Sequence, residues 1–440
     1  MNRLSLLDKF TGNDYNGYLS LYRKTQWYAE EQMLQFQVEK LKALLNKIRI
    51  TSPFYGKIIN DSINISDIKD LSCLSNFPVL DKQDLKRHYS EILNNDMKRI
   101  KSRVSKGWTG GTTGQPLTVY KDHITRSSIW GAYYRFYDWM GISFGHPVLA
   151  VWGTPLKAKS LKHKLKHEFS RQLRNVKAIG ADEIEKSAVG NIIKLFHGHK
   201  PVLLNGYAQA IKDMVLILRE TDFSFALKAI STTADTLFDN DRKLFREVFG
   251  CETFDQYGCG EVGSIAFECD AHQGLHVVNE RCIVETNEQG ELIITDLDNY
   301  VLPIIRYKNG DIVETDNTPC SCGRYGNKIK KIHGRIRDVI IGSKGSKIHP
   351  ILFNSILNDS YIGSSRTIKK YKVIQHDRNN IEWLVVCDDL LVKDMEYMKR
   401  MVQEQTGIYN VNIKPVKDIS SDKNGKYRLV ESMLHKDEKR

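Results

Sequence analysis

Apolar positions recur at roughly helical spacing over residues 14–48, through Tyr15, Tyr18, Leu19, Tyr22, Trp27, Met33, Phe36, Val38, Leu41 and Leu44. They predict one long helix or two, stopped by Thr51-Ser52-Pro53. Ile65 to Leu74 reads as a connector with a short helix. A further helix restarts after Phe77-Pro78-Val79-Leu80, with Asp81 at its N-cap. Leu117-Thr118-Val119-Tyr120 reads as a strand. Residues 124–140 predict a helix rich in Trp130, Tyr133, Tyr134, Phe136, Tyr137 and Trp139, a stripe that fits core packing.

From residue 147 a rhythm begins. Short apolar strands at 147–152, 176–179, 201–204, 227–230 and 252–257 alternate with helices, a basic one first, then 182–197, 208–220 and 239–249. Such alternation predicts a mostly parallel sheet covered on both faces. Ligands of these sheets sit at the carboxyl ends of the strands. Those ends carry Asn205-Gly206-Tyr207, Ser231-Thr232-Thr233-Ala234-Asp235 and Gln256-Tyr257-Gly258-Cys259-Gly260-Glu261, small, polar and aromatic as a nucleotide site needs. Beyond Glu261 strand follows strand, at 276–285, 291–296, 303–307 and 329–332, which predicts an antiparallel barrel or sheet. The last hundred residues read helix 351–357, strands 370–375 and 381–387, helix 392–405 and strand 411–415. The expected fold class is α/β. A large N-terminal domain, 1–336, has mostly parallel sheets covered by helices plus a β-rich subdomain; a small C-terminal α+β domain spans 337–440.

Composition narrows the partners. At 440 residues, two or three domains are expected. Hydrophobic content of 41% and charged content of 27% are those of an ordinary globular chain. No apolar run approaches about 18 residues, so no integral membrane segment is expected. The apolar run within Met1 to Lys9 is too short for a signal peptide, which points to the cytoplasm. A net charge of +12 favours acidic partners: polyphosphate cofactors, nucleic acid or an anionic membrane face. The basic residues are dispersed, with 157–174 the densest stretch, and aromatic-plus-basic signatures are missing, so no nucleic-acid partner is expected. Eight cysteines without a secretory signal argue against a disulfide framework. Cys320-Ser321-Cys322 instead hints at a metal.

One stretch carries candidate phosphate chemistry. Thr109-Gly110-Gly111-Thr112-Thr113-Gly114 contains only glycine and threonine. Glycines let the backbone approach a ligand closely, and freed N–H groups with threonine hydroxyls can form an anion-binding nest. No Gly-Lys-Ser/Thr follows, so it is not a Walker loop. Taken alone, it reads equally well as an ordinary Gly/Thr hairpin.

Three further motifs follow in order: Gln256-Tyr257-Gly258-Cys259-Gly260-Glu261-Val262-Gly263, Pro303-Ile304-Ile305-Arg306-Tyr307-Lys308-Asn309-Gly310-Asp311, and Ile332-His333-Gly334-Arg335-Ile336-Arg337-Asp338-Val339-Ile340. Together with the Gly/Thr loop they resemble the adenylate-forming superfamily, in its phenylacetate–coenzyme A ligase-like branch with capsular polysaccharide biosynthesis relatives. The resemblance runs from about Pro53 to the C-terminal lysine. It implies an ATP-dependent ligase that makes an acyl-adenylate, with ATP, Mg²⁺ and coenzyme A as cofactors. Thr109 to Gly114 would hold the β- and γ-phosphates, although Gln115 stands where the family usually has lysine. Tyr257, next to Gly258, offers a ring face for adenine. Glu261 is an oxygen ligand suited to Mg²⁺, or else a solvated loop acid. Asp311 could accept both ribose hydroxyls, and Arg335 would add a donor near the ribose or phosphate; the alternative for either is a surface salt bridge. The polar strand end at Asp235 belongs to the same nucleotide face. Lys426, in Ser421-Asp422-Lys423-Asn424-Gly425-Lys426, resembles the family's terminal lysine, which reaches the substrate carboxylate and the α-phosphate; Lys423 is its nearby rival. Thr113, Glu261 and Lys426 are the expected catalytic residues, Arg337 falls at the family's hinge position, and the small domain would be mobile. Relatives often pair, so a homodimer is part of the expectation.

The acid and its acceptor are not legible. A thiol of coenzyme A or a carrier, or an amine as in an amide-forming ligase of capsule or natural-product biosynthesis, would each serve. A catalytically inactive relative acting as a binding protein is the alternative outside enzymology. A second constellation is Cys269, His276, Cys320 and Cys322. Three thiolates and an imidazole satisfy tetrahedral Zn²⁺ with no open position, so the expected role is structural. His272 competes as a ligand, and free reduced cysteines are the bland reading.

Overall fold

The computed structural model of the chain describes residues 3–96, 104–108, 117–153, 161–335, 340–348, 351–358, 368, 370–387, 390–419 and 429–434. Helices α1 (Arg3–Thr11), α2 (Tyr15–Thr25), α3 (Glu30–Thr51) and α4 (Pro53–Ser62) lead the chain. The periodic stretch 14–48 is thus two helices, and the second runs on to Thr51. Pro53 starts α4 rather than merely stopping α3, because a first-turn residue needs no N–H partner. The short N-terminal apolar run is itself α1, which buries Leu4 and Leu7. Next come α5 (Lys82–Arg87) and α6 (Tyr89–Ile92). Asp81 caps α5 by accepting from the N–H groups of Gln83 and Asp84. β1 (Ser105–Trp108) and β2 (Thr118–Lys121) pair antiparallel, and α7 (His123–Trp139) follows.

The predicted rhythm then unfolds as β3 (Val148–Trp152), α8 (Leu161–Arg174), β4 (Val176–Gly180), α9 (Val189–His199), β5 (Leu203–Tyr207), α10 (Ala208–Arg219), β6 (Ala229–Thr233), α11 (Asp239–Phe249) and β7 (Glu252–Cys259). These five strands are parallel, in the order β4-β3-β5-β6-β7. The helix expected from 182 begins only at Val189, after short 3-10 turns at Ala181–Glu183 and Lys186–Ala188. β8 (Gly263–Glu268), β9 (Leu275–Val277), β10 (Cys282–Thr286), β11 (Glu291–Asp296), β12 (Tyr307–Asp316) and β13 (Lys328–Arg335) extend the same sheet beyond β7 to eleven strands, in the order β8-β9-β13-β12-β11-β10. The β-rich region is therefore a sheet continuous with the parallel one, not a barrel.

Two expected strands are corrected. The stretch 276–285 is broken into β9 and β10 by a tight turn, in which the N–H groups of Arg281 and Cys282 both bond to the Val278 carbonyl. The stretch 303–307 is not a strand. Arg306 adopts a left-handed φ of 48°, so the strand starts at Tyr307.

In the aromatic stripe of α7, Tyr134, Phe136 and Trp139 are buried, while Trp130, Tyr133 and Tyr137 are half-buried. Phe136 stacks on Phe267 with centroids 4.6 Å apart, and Tyr22, Trp139 and Phe254 pack in the same cluster. On the other side of the parallel strands, Phe196, Ile211, Phe245 and Phe249 fill a second cluster with Leu149, Leu204 and Ile230.

The chain divides into two compact units, Met1–Leu237, Arg242–Asn309 and Glu314–Lys331 in one, and Phe238–Asp241, Gly310–Val313 and Ile332–Arg440 in the other. Within the second lie β14 (Ile340–Ile341), β15 (Lys347–Ile348), α12 (Ile351–Asn358), β16 (Lys370–Gln375), β17 (Asn380–Val386), α13 (Val392–Thr406), β18 (Asn410–Pro415) and β19 (Val430–Ser432). Its sheet runs β18-β17-β16-β19, over a core of Phe353, Val373, Trp383, Met398 and Val402.

One glycine tests the parallel sheet. Gly206 in β5 lies opposite Val151 in β3, and a Cβ there would stand 2.2 Å from the Val151 carbonyl oxygen. Backbone in mid-sheet cannot retreat cheaply. Gly206→Ala is expected to cost ~1–3 kcal/mol of stability, read as a lower urea midpoint; an unchanged midpoint would contradict the close approach.

Candidate functional site

Glu261 sits in the turn between β7 and β8, at the carboxyl end of the last parallel strand. The two strands pair antiparallel with a register shift between Tyr257 and Gly258. Only glycine fits at 258, because a Cβ would lie 2.3 Å from the Gly263 carbonyl oxygen. Glu261 is 6% exposed, and its Oε1 accepts a hydrogen bond from the Tyr307 hydroxyl at 3.2 Å. Lys82 Nζ stands 3.9 Å from the same oxygen. The Tyr257 hydroxyl accepts from Asn309 Nδ2 at 2.7 Å.

These groups come from distant parts of the chain, and one rung joins two of the segments that carry them. Leu80 pairs with Tyr307 in parallel: its N–H donates to the Arg306 carbonyl at 3.0 Å, and its carbonyl accepts from Lys308 N–H at 2.8 Å. That rung sets the first residue of α5 beside the first residue of β12. The left-handed Arg306 that makes the corner costs about 1–2 kcal/mol. Its guanidinium is held by Glu285 at 3.1 Å and by the Phe77 carbonyl at 3.1 Å, which offsets the strain.

Asp235 follows β6, and its Oδ2 accepts from the Gln209 N–H at 3.4 Å. A carboxylate there also complements the positive N-terminal end of α10. In the second unit, Asp311 Oδ1 lies 3.3 Å from Arg335 Nε, with the acid largely buried and the arginine a little under half exposed. Thr109, Gly110, Gly111, Thr112, Thr113 and Gly114 lie outside the described residues, as do Arg337 and Lys426. Sequence reasoning missed Lys82, Tyr307 and Asn309 as members of the site. Tyr307 and Asn309 lie inside the 303–311 motif and could have been singled out; nothing local marks Lys82.

A second arrangement brings Cys269, His276, Cys320 and Cys322 together. Their donor atoms all lie within 4.8 Å of one another. Cys269 Sγ and Cys320 Sγ are 3.7 Å apart, and Cys322 Sγ and His276 Nε2 are 3.5 Å apart. A tetrahedral ion with bonds of about 2.3 Å to sulfur and about 2.0–2.1 Å to nitrogen would place such pairs about 3.8 and 3.6 Å apart, so the donor set fits zinc. Burial, then the charges of Arg324, Lys328 and Arg135, push the His276 imidazole down to about 4, which leaves it neutral as a ligand must be. Burial pushes the Cys269 thiol up to about 12. At Cys322 burial acts in the same sense, but the Arg324 N–H and the neighbouring sulfurs outweigh it and draw the thiol below its ordinary value. His272, the competing ligand, is engaged elsewhere: its Nδ1 is 3.0 Å from Glu268.

Glu268 belongs to a buried polar network that reaches the parallel strands. It accepts both contacts from Arg242 Nη2 at 3.0 Å and the Asp255 N–H at 2.6 Å. Thr232 at the end of β6 donates to Asp255 Oδ1 at 2.9 Å. Burial, then the Glu268 charge, raise the Asp255 carboxyl from 3.8 to about 7, against the Thr232 hydroxyl, Arg242 and the Gln256 N–H. The folded protein therefore holds a proton that the unfolded chain has released between about pH 4 and 7. Stability from this group is present below that window, falls as pH rises through it, and is fully lost above it. Asp255→Asn, which keeps an acceptor for Thr232, removes the dependence. The variant is expected to gain on the parent by on the order of a few kcal/mol between pH 5 and pH 8, measured by denaturant unfolding at both values; a constant difference would contradict the shift.

No family model matches the chain. It is 25% identical to Protein CapK of Staphylococcus aureus over 397 residues, which cover 85% of this chain and 86% of that protein. It is 21% identical over 366 residues to a phenylacetate-coenzyme A ligase of Thermus thermophilus, covering 74% of this chain and 75% of the relative. Among solved structures, a 2-hydroxyisobutyryl-CoA ligase in its postadenylation state matches with a TM-score of 0.72 at 16% identity, over 91% of this chain and 89% of that one. At that identity the structural likeness speaks for the fold, while the two sequence relatives span most of their own lengths. The chain is thus similar, over most of its length, to CapK and to phenylacetate-coenzyme A ligases, the branch that the four motifs resemble.

Proposed function

We propose that the chain is an AMP-forming ligase that activates a carboxylic acid with ATP and passes the acyl group to coenzyme A or another thiol. The observation that carries this reading is the buried Glu261, held on the turn just after Tyr257 at the carboxyl end of the parallel sheet. A carboxylate oxygen of the acid attacks the α-phosphorus in line. The bond to the bridging oxygen of the β-phosphate breaks, and pyrophosphate leaves with that electron pair. The acceptor thiol then attacks the acyl carbon and AMP departs.

Both reactants of the first step are anions, so the protein must orient them and neutralise charge rather than supply a nucleophile. In this reading Thr109 to Gly114 grip the phosphates, Tyr257 faces the adenine, and Asp311 with Arg335 meets the ribose. Lys426 is the cation for the carboxylate and α-phosphate. Mg²⁺ bound with ATP supplies charge neutralisation at the phosphates, and Glu261 is the carboxylate that would hold it. In a second reading the acceptor is an amine and the product an amide; it stands beside the first because the chain is similar to CapK as well as to coenzyme A ligases.

Pyrophosphate release from ATP and a pool of acids, with product masses recorded with coenzyme A and with amines, tests the reaction and separates the two acceptors. Glu261→Gln is expected to slow pyrophosphate release at least about tenfold, the effect of ~1.4 kcal/mol of lost transition-state binding. Release at the parental rate would remove Glu261 from the mechanism.

We also propose that Cys269, His276, Cys320 and Cys322 bind one structural Zn²⁺. Its ligands lie in two stretches far apart in sequence, so it would close a long loop beside β8 and β9. Elemental analysis of protein purified without chelator is expected to find one zinc per chain, and Cys320→Ser should lose it and lower the thermal midpoint. Protein free of zinc, with stability indifferent to a strong chelator, would rule the site out.

A further inference from the structure

The turn that carries Glu261 is held by cations on its backbone. The β7–β8 ladder closes with Cys259 opposite Gly263, so the carbonyls of residues 260 and 262 lie beyond its last rung. Lys121, the last residue of β2, donates from Nζ to the Gly260 carbonyl at 3.0 Å. Arg281 donates from Nη2 to the Val262 carbonyl at 3.2 Å and from Nη1 to the Ser264 carbonyl at 2.6 Å. Arg281 is itself immobilised. It is fully buried, its Nη2 meets both oxygens of Asp296 at 3.1 and 3.0 Å, and its Nε donates to Ser128 Oγ of α7 at 3.1 Å. From the α7 side, Gly263 has a left-handed φ of +97°, and a Cβ there would come within 2.7 Å of Ile129. The turn is thus pressed against α7 on one side and tied through its carbonyls on the other.

We propose that Lys121 and Arg281 are positioning residues for nucleotide binding, fixing the backbone on both sides of Glu261 so that its carboxylate is already aimed when Mg²⁺ and ATP arrive. The inference rests on the ATP-dependent reading of the site. Each cation acts on a carbonyl next to Glu261 rather than on the Glu261 side chain, which is steadied by the Tyr307 hydroxyl. Lys121 has a second consequence. It ends β2, so one ammonium group ties that strand to the backbone beside the proposed metal carboxylate. Loss of that link should loosen the nucleotide end of the site and leave the acid end alone. Groups that orient a metal ligand from behind are worth about 10- to 100-fold in metal affinity or activity when removed.

The test uses the full chain. Mg·ATP binding is first titrated on the parent by calorimetry, and then steady-state pyrophosphate release is measured for the parent, Lys121→Met, Lys121→Arg and Arg281→Lys. Lys121→Met keeps the aliphatic stem and loses the ammonium. It is expected to raise the KM for Mg·ATP and the Mg²⁺ needed for half-saturation by about 10- to 100-fold, with the KM for the acid and the thermal midpoint little changed. Lys121→Arg should recover most of the loss, because a cation is restored. Arg281→Lys should shift the same two quantities in the same direction. A Lys121→Met protein with parental ATP and Mg²⁺ dependence would overturn the inference. So would equal losses in ATP and acid affinity accompanied by a lower thermal midpoint, since that pattern marks a purely structural role. A parent that binds no Mg·ATP sinks the functional reading itself, whereas a parent that binds it beside an unaffected variant sinks only the positioning role.

Discussion

Strand β7 has to satisfy two different hydrogen-bond ladders at once, parallel to β6 along one edge and antiparallel to β8 along the other. Both edges are interior, and an unpaired buried backbone group costs about 1–3 kcal/mol. The strand therefore cannot shift register to suit one neighbour without breaking the other. Its residues divide accordingly. Up to Asp255 the parallel partner sets the register, and from Gln256 the antiparallel partner takes over. The bulge at Tyr257 and Gly258 falls just beyond this handover. Parallel and antiparallel halves are thereby joined into one sheet, and the turn with Glu261 emerges where the parallel strands end.

Buried charge then fixes what packs on this sheet. Glu280, in the turn between β9 and β10, meets Arg135 of α7 and the Thr25 hydroxyl of α2. Lys40 of α3 meets Asp298 and the Glu280 carbonyl, and Gln37 donates to the Asn279 carbonyl. Such pairs add little net stability over apolar packing, yet removing one partner costs ~3–5 kcal/mol because the other charge is left buried. Their effect is to specify one seating for α2, α3 and α7 against the strand turn that also presents Arg281. A second buried polar chain starts at Glu268, the residue before Cys269, and runs through Asp255 to Thr232 near the end of β6.

Much of this was legible from apolar periodicity. Strands buried on both faces and helices with one apolar stripe announce themselves, so the β3 to β7 rhythm and the helix-strand order of the second unit were readable. The strand ends were too, since Gly, Thr, Asp and Tyr interrupt the apolar runs there. What could not be read were decisions made by distant partners. The break between β9 and β10 depends on Glu280 and Arg281 turning inward to meet α7 and β11, while the local pattern stays apolar on both sides. The corner at Arg306 depends on Glu285 and the Phe77 carbonyl. Lys82 reaches Glu261 only because Leu80 pairs with Tyr307, a contact with no local signature. That Cys269, His276, Cys320 and Cys322 come together was legible because ligand chemistry restricts residue type, but that His272 stands apart from them, beside Glu268, was not.

In the proposed reaction a carboxylate oxygen of the substrate becomes bonded to the α-phosphorus of ATP. Oxygen-18 in the carboxyl group reports this directly, because the oxygen that attacked phosphorus stays with AMP when the acyl group leaves. Acids labelled in both carboxyl oxygens, incubated with the protein, ATP and coenzyme A, should yield AMP carrying one heavy oxygen, seen by mass spectrometry, in proportion to the acyl product. Acyl product accompanied by unlabelled AMP, or by ADP and phosphate, would contradict adenylation.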